Sequence, residues 1–155
     1  NPTTLVTFVI GGEDKIDIEE FFVFNEFSCY HSPVWKAALN GNFLEGNTLT
    51  NTMEDVEPKV FRLLAQWLYS GTFEDLQQAR SKRVILKAFH GVVYRRLALL
   101  WGLIEMLLMP PLQNAAMLAL CLWSKKYDAT GIMVFNHVFD NTASGSPLRK
   151  LCVAQ

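Results

Sequence analysis

The side chains that most often catalyse reactions or bind metals are few in this chain and lie far apart. None of the histidines His31, His90 and His137 has the spacing to another histidine, or to a cysteine pair, that a zinc site needs. The cysteines have apolar or aromatic neighbours: Cys29, Cys121 and Cys152. Because they are odd in number and widely separated, we predict reduced thiols in an intracellular protein, cytoplasmic or nuclear. The histidine spacing predicts no metal site.

Two kinds of local pair can be considered for catalysis. Cys29 and His31 are a conceivable nucleophile and base, but on a helix this spacing directs the two side chains to different faces. The adjacent acids Glu19-Glu20 and Glu54-Asp55 are more typical of a solvated surface than of a general acid and base. The Gly11-Gly12 pair lacks the later glycine and the Lys-Ser/Thr pair of a phosphate-binding loop. We therefore predict no catalytic residues and expect no enzyme.

The composition indicates one folded domain. The chain has 155 residues, of which 50% are hydrophobic, 12% aromatic and 19% charged, which is enough for a core and excludes disorder. The apolar stretch 97–123 contains Glu105 and two prolines, so we predict that it does not span a membrane. By elimination, and because aromatic side chains are plentiful, we expect the domain to bind another protein.

Charge is divided unevenly along the chain. Residues 1–57 hold ten acids and two bases, whereas residues 58–155 hold five acids and twelve bases. Opposite fields of this kind favour self-pairing or a charged partner, unless both halves interleave in one domain and neutralise each other. The basic segment 74–96 has little aromatic interleaving and no known binding motif, so we predict a solvated loop or insertion and no nucleic-acid partner.

The elements that position these residues begin with strands and continue with helices. Segments 5–10 and 16–23 are rich in β-branched and aromatic residues and flank a glycine turn, which predicts a hairpin. Ser32-Pro33 begins a helix, and another runs from Pro58 to Gly71 with Phe61 and Trp67 in the core. A third strand is expected at 48–53, and further helices near 25–30, 97–109, 112–123, 132–139 and from 148.

Several of these segments, taken in order, resemble the BTB/POZ domain. They are Val6-Thr-Phe-Val-Ile-Gly11, Phe22-Val23, Cys29 to Leu39, Phe43-Leu44-Glu45 and Pro58 to Gly71. The chain looks most like the stand-alone BTB proteins common in fungi. The resemblance implies an α+β fold, a small β-sheet flanked by a cluster of α-helices, over residues 5–123 with an insertion near 74–96. It also implies no active site and no cofactor. Residues 124–155 would then be a helical C-terminal extension.

The resemblance also implies a function. Many BTB domains are substrate adaptors that contact the cullin scaffold of a ubiquitin ligase through a hydrophobic-x-Glu motif after the second helix. Phe43, Leu44 and Glu45 match this motif in type and place. Phe43 would enter an apolar pocket of the cullin, while Glu45 anchors the loop by hydrogen bonds. The alternative is that Phe43 caps the helix end in the core and Glu45 is solvated.

Self-association is the other implied property. Many BTB domains dimerise through the first strand and the first helix. The candidate interface residues here are Val6, Phe8, Phe27 and Tyr30. We therefore expect a homodimer whose partners are a cullin scaffold and an unknown substrate. The alternative is a self-associating scaffold without a ligase role.

Overall fold

The first two strands form the predicted hairpin, and a third strand completes the sheet. In the computed structural model, β1 (Leu5–Ile10) pairs antiparallel with β2 (Glu19–Phe24), which places Leu5 opposite Phe24. A third strand, β3 (Thr50–Met53), lies parallel to β1 on its other side. The strand order is therefore β2-β1-β3, with β2 at an edge. The structure describes residues 4–14, 17–73, 87–127 and 132–154.

Helices make up most of the remaining described chain. They are α1 (Asn25–His31), α2 (Pro33–Asn40), α3 (Leu44–Thr48), α4 (Pro58–Ser70), α5 (Lys87–Leu107), α6 (Pro110–Tyr127), α7 (Ile132–Asn141) and α8 (Pro147–Val153). The predicted start of α5 near Leu97 is wrong, because the helix already includes Arg95 and Arg96, and arginine is a good helix former.

The predicted insertion at 74–96 stays a prediction. Residues 74–86 lie outside the described part of the chain, and residues 87–96 form the first half of α5.

The chain divides into two compact units. One comprises Asn1–Phe73 with Met106–Met109, and the other comprises Glu74–Glu105 with Pro110–Gln155. The first unit holds the three-stranded sheet and helices α1 to α4, so the α+β fold that the resemblance implied is confirmed. No helix of the described ranges is both long and apolar enough to cross a membrane.

Aromatic rings form the centre of the first unit. Phe8 of β1 lies 4.7 Å from Trp35 of α2 and 5.2 Å from Phe61 of α4, measured between ring centroids. Phe21 of β2 adds a contact of 4.9 Å to Phe61. Because Phe8, Trp35 and Phe61 are almost completely removed from solvent, the sheet and both helices share one core.

Ser32 fixes the start of α2. Its hydroxyl accepts a hydrogen bond from the Trp35 N–H at 3.2 Å and donates one to the Leu107 carbonyl at 2.8 Å. The side chain is completely buried, and Pro33 occupies the first helical turn as predicted. One hydroxyl therefore caps a helix and binds segment 106–109 to the rest of the first unit.

Helix α4 packs one face into the core and ends where the sequence predicts. Gly71 follows it with φ +70°, a left-handed conformation that glycine adopts without strain, and its N–H donates to the Trp67 carbonyl. Phe61 is buried as predicted, but the prediction of a core Trp67 is wrong. Trp67 is only partly buried, and its ring lies 5.2 Å from the imidazole of His31.

The second unit contains polar contacts between its helices. The hydroxyl of Tyr94 on α5 lies 4.0 Å from the Sγ of Cys152 on α8, and both side chains are buried. Burial raises the pKa of the Tyr94 hydroxyl. At the other end of α8, Arg149 donates from Nε to the Thr142 hydroxyl and lies 5.0 Å from the centroid of the Phe139 ring. These contacts hold α8 against α5 and the end of α7.

Candidate protein-interaction surface

The predicted cullin-contact residues lie on an exposed turn at the start of α3. The side chains of Phe43 and Leu44 are 62% and 74% exposed, and Glu45 lies in the first turn of the helix with intermediate exposure. The Phe43 carbonyl accepts hydrogen bonds from the N–H groups of Gly46 and Asn47, which closes this turn. The alternative placement of Phe43 in the core is therefore wrong.

Two glycines hold this turn against the end of α2. A Cβ on Gly46 would lie only 2.6 Å from the Gly41 carbonyl oxygen and 2.9 Å from that of Leu39. A Cβ on Gly41 would lie 2.7 Å from the Ala37 oxygen and 2.9 Å from the Phe43 ring. Only glycine permits such close approach, so Gly41 and Gly46 fix where α3 begins and where Phe43 is presented.

A second group of exposed aromatic side chains lies where β2 meets α1 and the end of α4. The rings of Phe27 and Tyr69 are 5.1 Å apart, and Phe24 lies 6.0 Å from Phe27 and 6.3 Å from Tyr69. We call Phe24, Phe27 and Tyr69 the aromatic cluster. Tyr30 lies on the same helix as Phe27 and is 84% exposed. The cluster was not predicted, because Tyr69 is 45 residues from Phe24 in sequence.

Of the four predicted dimer residues, two are buried and two are exposed. Val6 and Phe8 are completely buried on the inner face of β1, so their side chains are not available to a second copy. Residues two apart along a strand lie on the same face. In an apolar strand such as β1, the sequence does not show which of the two faces is buried until the core is known. Phe27 and Tyr30 are exposed on α1 and stay candidates.

The Cys29 and His31 side chains carry no sign of activation. The Cys29 thiol donates to Asn25 Oδ1 at 3.2 Å and accepts from Asn40 Nδ2 at 3.7 Å. Burial raises the pKa of the Cys29 thiol, although Asn40 and Lys36 oppose this effect. Burial lowers the pKa of His31, whose ring packs against aromatic neighbours. Within the described ranges, no group of three or more His, Cys, Asp or Glu side chains could hold a metal ion.

The first unit thus has a small mixed sheet packed on helices, and its short helices expose aromatic and aliphatic side chains that are available to a protein partner. The family model of the BTB/POZ domain matches residues 6–90, which is more than half of the chain. The chain therefore belongs to the BTB/POZ family, whose domains are protein–protein interaction modules and are generally not enzymes. No curated protein matches the chain.

Proposed function

We propose that this domain is a substrate adaptor for a cullin-based ubiquitin ligase, and that Phe43, Leu44 and Glu45 contact the cullin. The observation that carries the proposal is the exposure of Phe43 and Leu44 on a turn whose position Gly41 and Gly46 fix. Phe43 and Leu44 place two adjacent large apolar side chains in solvent, and a partner that covers them would remove this apolar area from water.

The three side chains would act together in the contact. Phe43 inserts its ring into an apolar pocket of the cullin, and Leu44 covers the pocket's rim. Glu45 lies in the first turn of α3, where the positive end of the helix dipole favours a carboxylate, and accepts hydrogen bonds from the cullin. Since the turn is already formed in the free domain, little ordering entropy opposes binding.

Calorimetric titration of the chain with the N-terminal part of the cullin that BTB adaptors use tests this proposal. We expect binding by the wild type and a loss of at least about 2 kcal/mol of binding free energy in Phe43→Ala, the range of a hot-spot residue. Leu118→Ala is the matched control, because Leu118 is also an exposed apolar residue but lies on α6. Circular dichroism of each variant shows whether it is folded. If the wild type does not bind, the adaptor proposal is wrong.

A second candidate function is self-association without a ligase role. The exposure of Phe27 and Tyr30 on α1 favours it, because one helix face that presents two aromatic rings is typical of an interface. Light scattering would then give a dimer that survives Phe43→Ala and weakens in the Phe27→Ser, Tyr30→Ser double variant. A wild-type monomer at micromolar concentration would contradict this function.

A further inference from the structure

The edge of β2 that faces away from β1 pairs with no other strand in the described part of the chain, and it carries its own hydrogen-bonding groups. The Asn25 N–H donates to the carbonyl of Thr4, which directly precedes the neighbouring strand β1. Backbone groups alternate in direction along a strand, so those of Val23, Phe21 and Glu19 are also directed at β1. The residues between them direct their N–H and C=O groups away from the sheet: Glu20, Phe22 and Phe24. The Phe24 N–H donates to the Tyr69 hydroxyl, whereas no described side chain bonds to the outward groups of Glu20 or Phe22.

The same residues carry an exposed apolar stripe. Phe22 is 58% exposed on the outer face of the sheet, opposite Thr7 of β1. Two positions along, Phe24 and its cross-strand partner Leu5 are exposed on the same face. An edge strand with exposed aromatic residues favours addition of another strand.

The acidic side chains near β2 indicate what kind of strand could add to this edge. Asp17, Glu20 and Glu26 are exposed, and no lysine or arginine occurs between residues 17 and 35. Arg62 is engaged with Glu19, so it does not neutralise these three carboxylates. A second copy paired along this edge would bring its own Asp17, Glu20 and Glu26 against them, which is repulsive. A strand that carries lysine or arginine is attracted instead.

We propose that the β2 edge binds an extended segment of a partner protein as an added antiparallel strand. The segment places apolar side chains beside Phe22 and Phe24 and a lysine or arginine beside Glu20. Main-chain hydrogen bonds to Glu20 and Phe22 supply affinity, and the alternating side chains supply specificity. This surface is distinct from the Phe43-Leu44-Glu45 turn, so the inference does not depend on cullin binding.

The probe is a short synthetic peptide in which threonine alternates with valine and the central valine is replaced by lysine. In antiparallel pairing, the lysine lies opposite Glu20 and a valine lies opposite Phe22, each on the same face of the sheet as its partner. These peptide residues also direct their backbone N–H groups at β2, whereas the threonines direct theirs away. N-methylation of the valine and lysine residues should therefore weaken binding about tenfold or more, whereas N-methylation of the threonines should leave it unchanged. Titration of the ¹⁵N-labelled chain, followed by NMR, measures both affinities and should show slower amide exchange at Glu20 and Phe22.

Charge reversal provides the second half of the test. Glu20→Lys should weaken the lysine peptide about tenfold and strengthen a peptide with glutamate at the central position, and both effects should shrink at high salt. Leu118→Ala is the control, because Leu118 is exposed on α6 and belongs to none of the proposed surfaces, and it should bind both peptides as the wild type does. The proposal is overturned if no β2 resonance shifts at millimolar peptide, or if the two N-methylated peptides bind equally. It is also overturned if protection of the Phe22 amide rises with the concentration of the chain alone, because a second copy would then be the occupant.

Discussion

The hydroxyl of Tyr69 accepts a hydrogen bond from the backbone N–H of Phe24, with 3.1 Å between oxygen and nitrogen. The bond joins the last turn of α4 to the end of β2, two elements 45 residues apart. It also satisfies the outward N–H at one end of the sheet edge, and it holds the Phe24 and Tyr69 rings in the aromatic cluster. One hydrogen bond therefore fixes the aromatic cluster at the end of the β2 edge.

Tyr69→Phe should remove this bond and keep the ring. We expect a loss of about 0.5–1 kcal/mol in the free energy of unfolding, because the bond lies at the surface, and faster hydrogen exchange of the Phe24 amide. Denaturant titration and NMR measure the two effects. Tyr30→Phe is the control, since no described residue bonds to the Tyr30 hydroxyl, and it should change neither quantity. Unchanged exchange at Phe24 in Tyr69→Phe would contradict the prediction.

Gly46→Ala should displace α3 from the end of α2. The new Cβ would overlap the carbonyl oxygens of Gly41 and Leu39, so we expect a loss of about 1–3 kcal/mol of stability together with weaker cullin binding. Gly91→Ala is the matched control, because Gly91 lies within α5 with open space around its Cα. That change should stabilise the chain by about 0.5–1 kcal/mol and leave binding intact. Equal cullin affinity in Gly46→Ala and wild type would show that the position of α3 does not matter.

Ser32→Ala should destabilise the first unit more than the loss of an ordinary helix cap. The change removes the bond to the Trp35 N–H and leaves the Leu107 carbonyl without its hydroxyl donor, so we expect a loss of about 2–3 kcal/mol. Ser146→Ala removes a single bond to the Leu148 N–H and should lose only about 1 kcal/mol. Chemical denaturation of both variants tests the order, and equal losses would refute it.

Mild acid should destabilise the chain through His31. Burial lowers the pKa of His31 in the folded state below its ordinary value of 6.5, so the unfolded chain takes up the proton first as pH falls. The free energy of unfolding should therefore decrease between pH 7.5 and about pH 5.5, with the opposite sign to a group whose pKa is raised. The slope should be smaller in His31→Gln. A remaining slope is expected from His90, whose pKa burial also lowers. An identical slope in wild type and His31→Gln would exclude His31 as a cause.

Several elements could be predicted from the sequence because their signals are local. Ser32 and Pro33 specify the start of α2 through a side-chain cap and a fixed φ angle, and both act within one turn of the chain. Gly71 specifies the end of α4 in the same way. The start of α5 was missed because Arg95 and Arg96 suggested a polar loop, whereas their helix propensity is independent of their charge.

The functional surfaces depended on contacts between distant residues. The hydrophobic-x-Glu pattern at Phe43 could be seen in the sequence, but its exposure depends on the approach of Gly46 to the carbonyls of α2. The β-branched and aromatic residues of β1 predicted a strand, and only packing against Trp35 and Phe61 shows that Val6 and Phe8 lie on its buried face. The sequence by itself thus determined the elements and their caps, which depend on neighbouring residues. The tertiary structure decided which side chains remain exposed, because burial depends on what packs against each face.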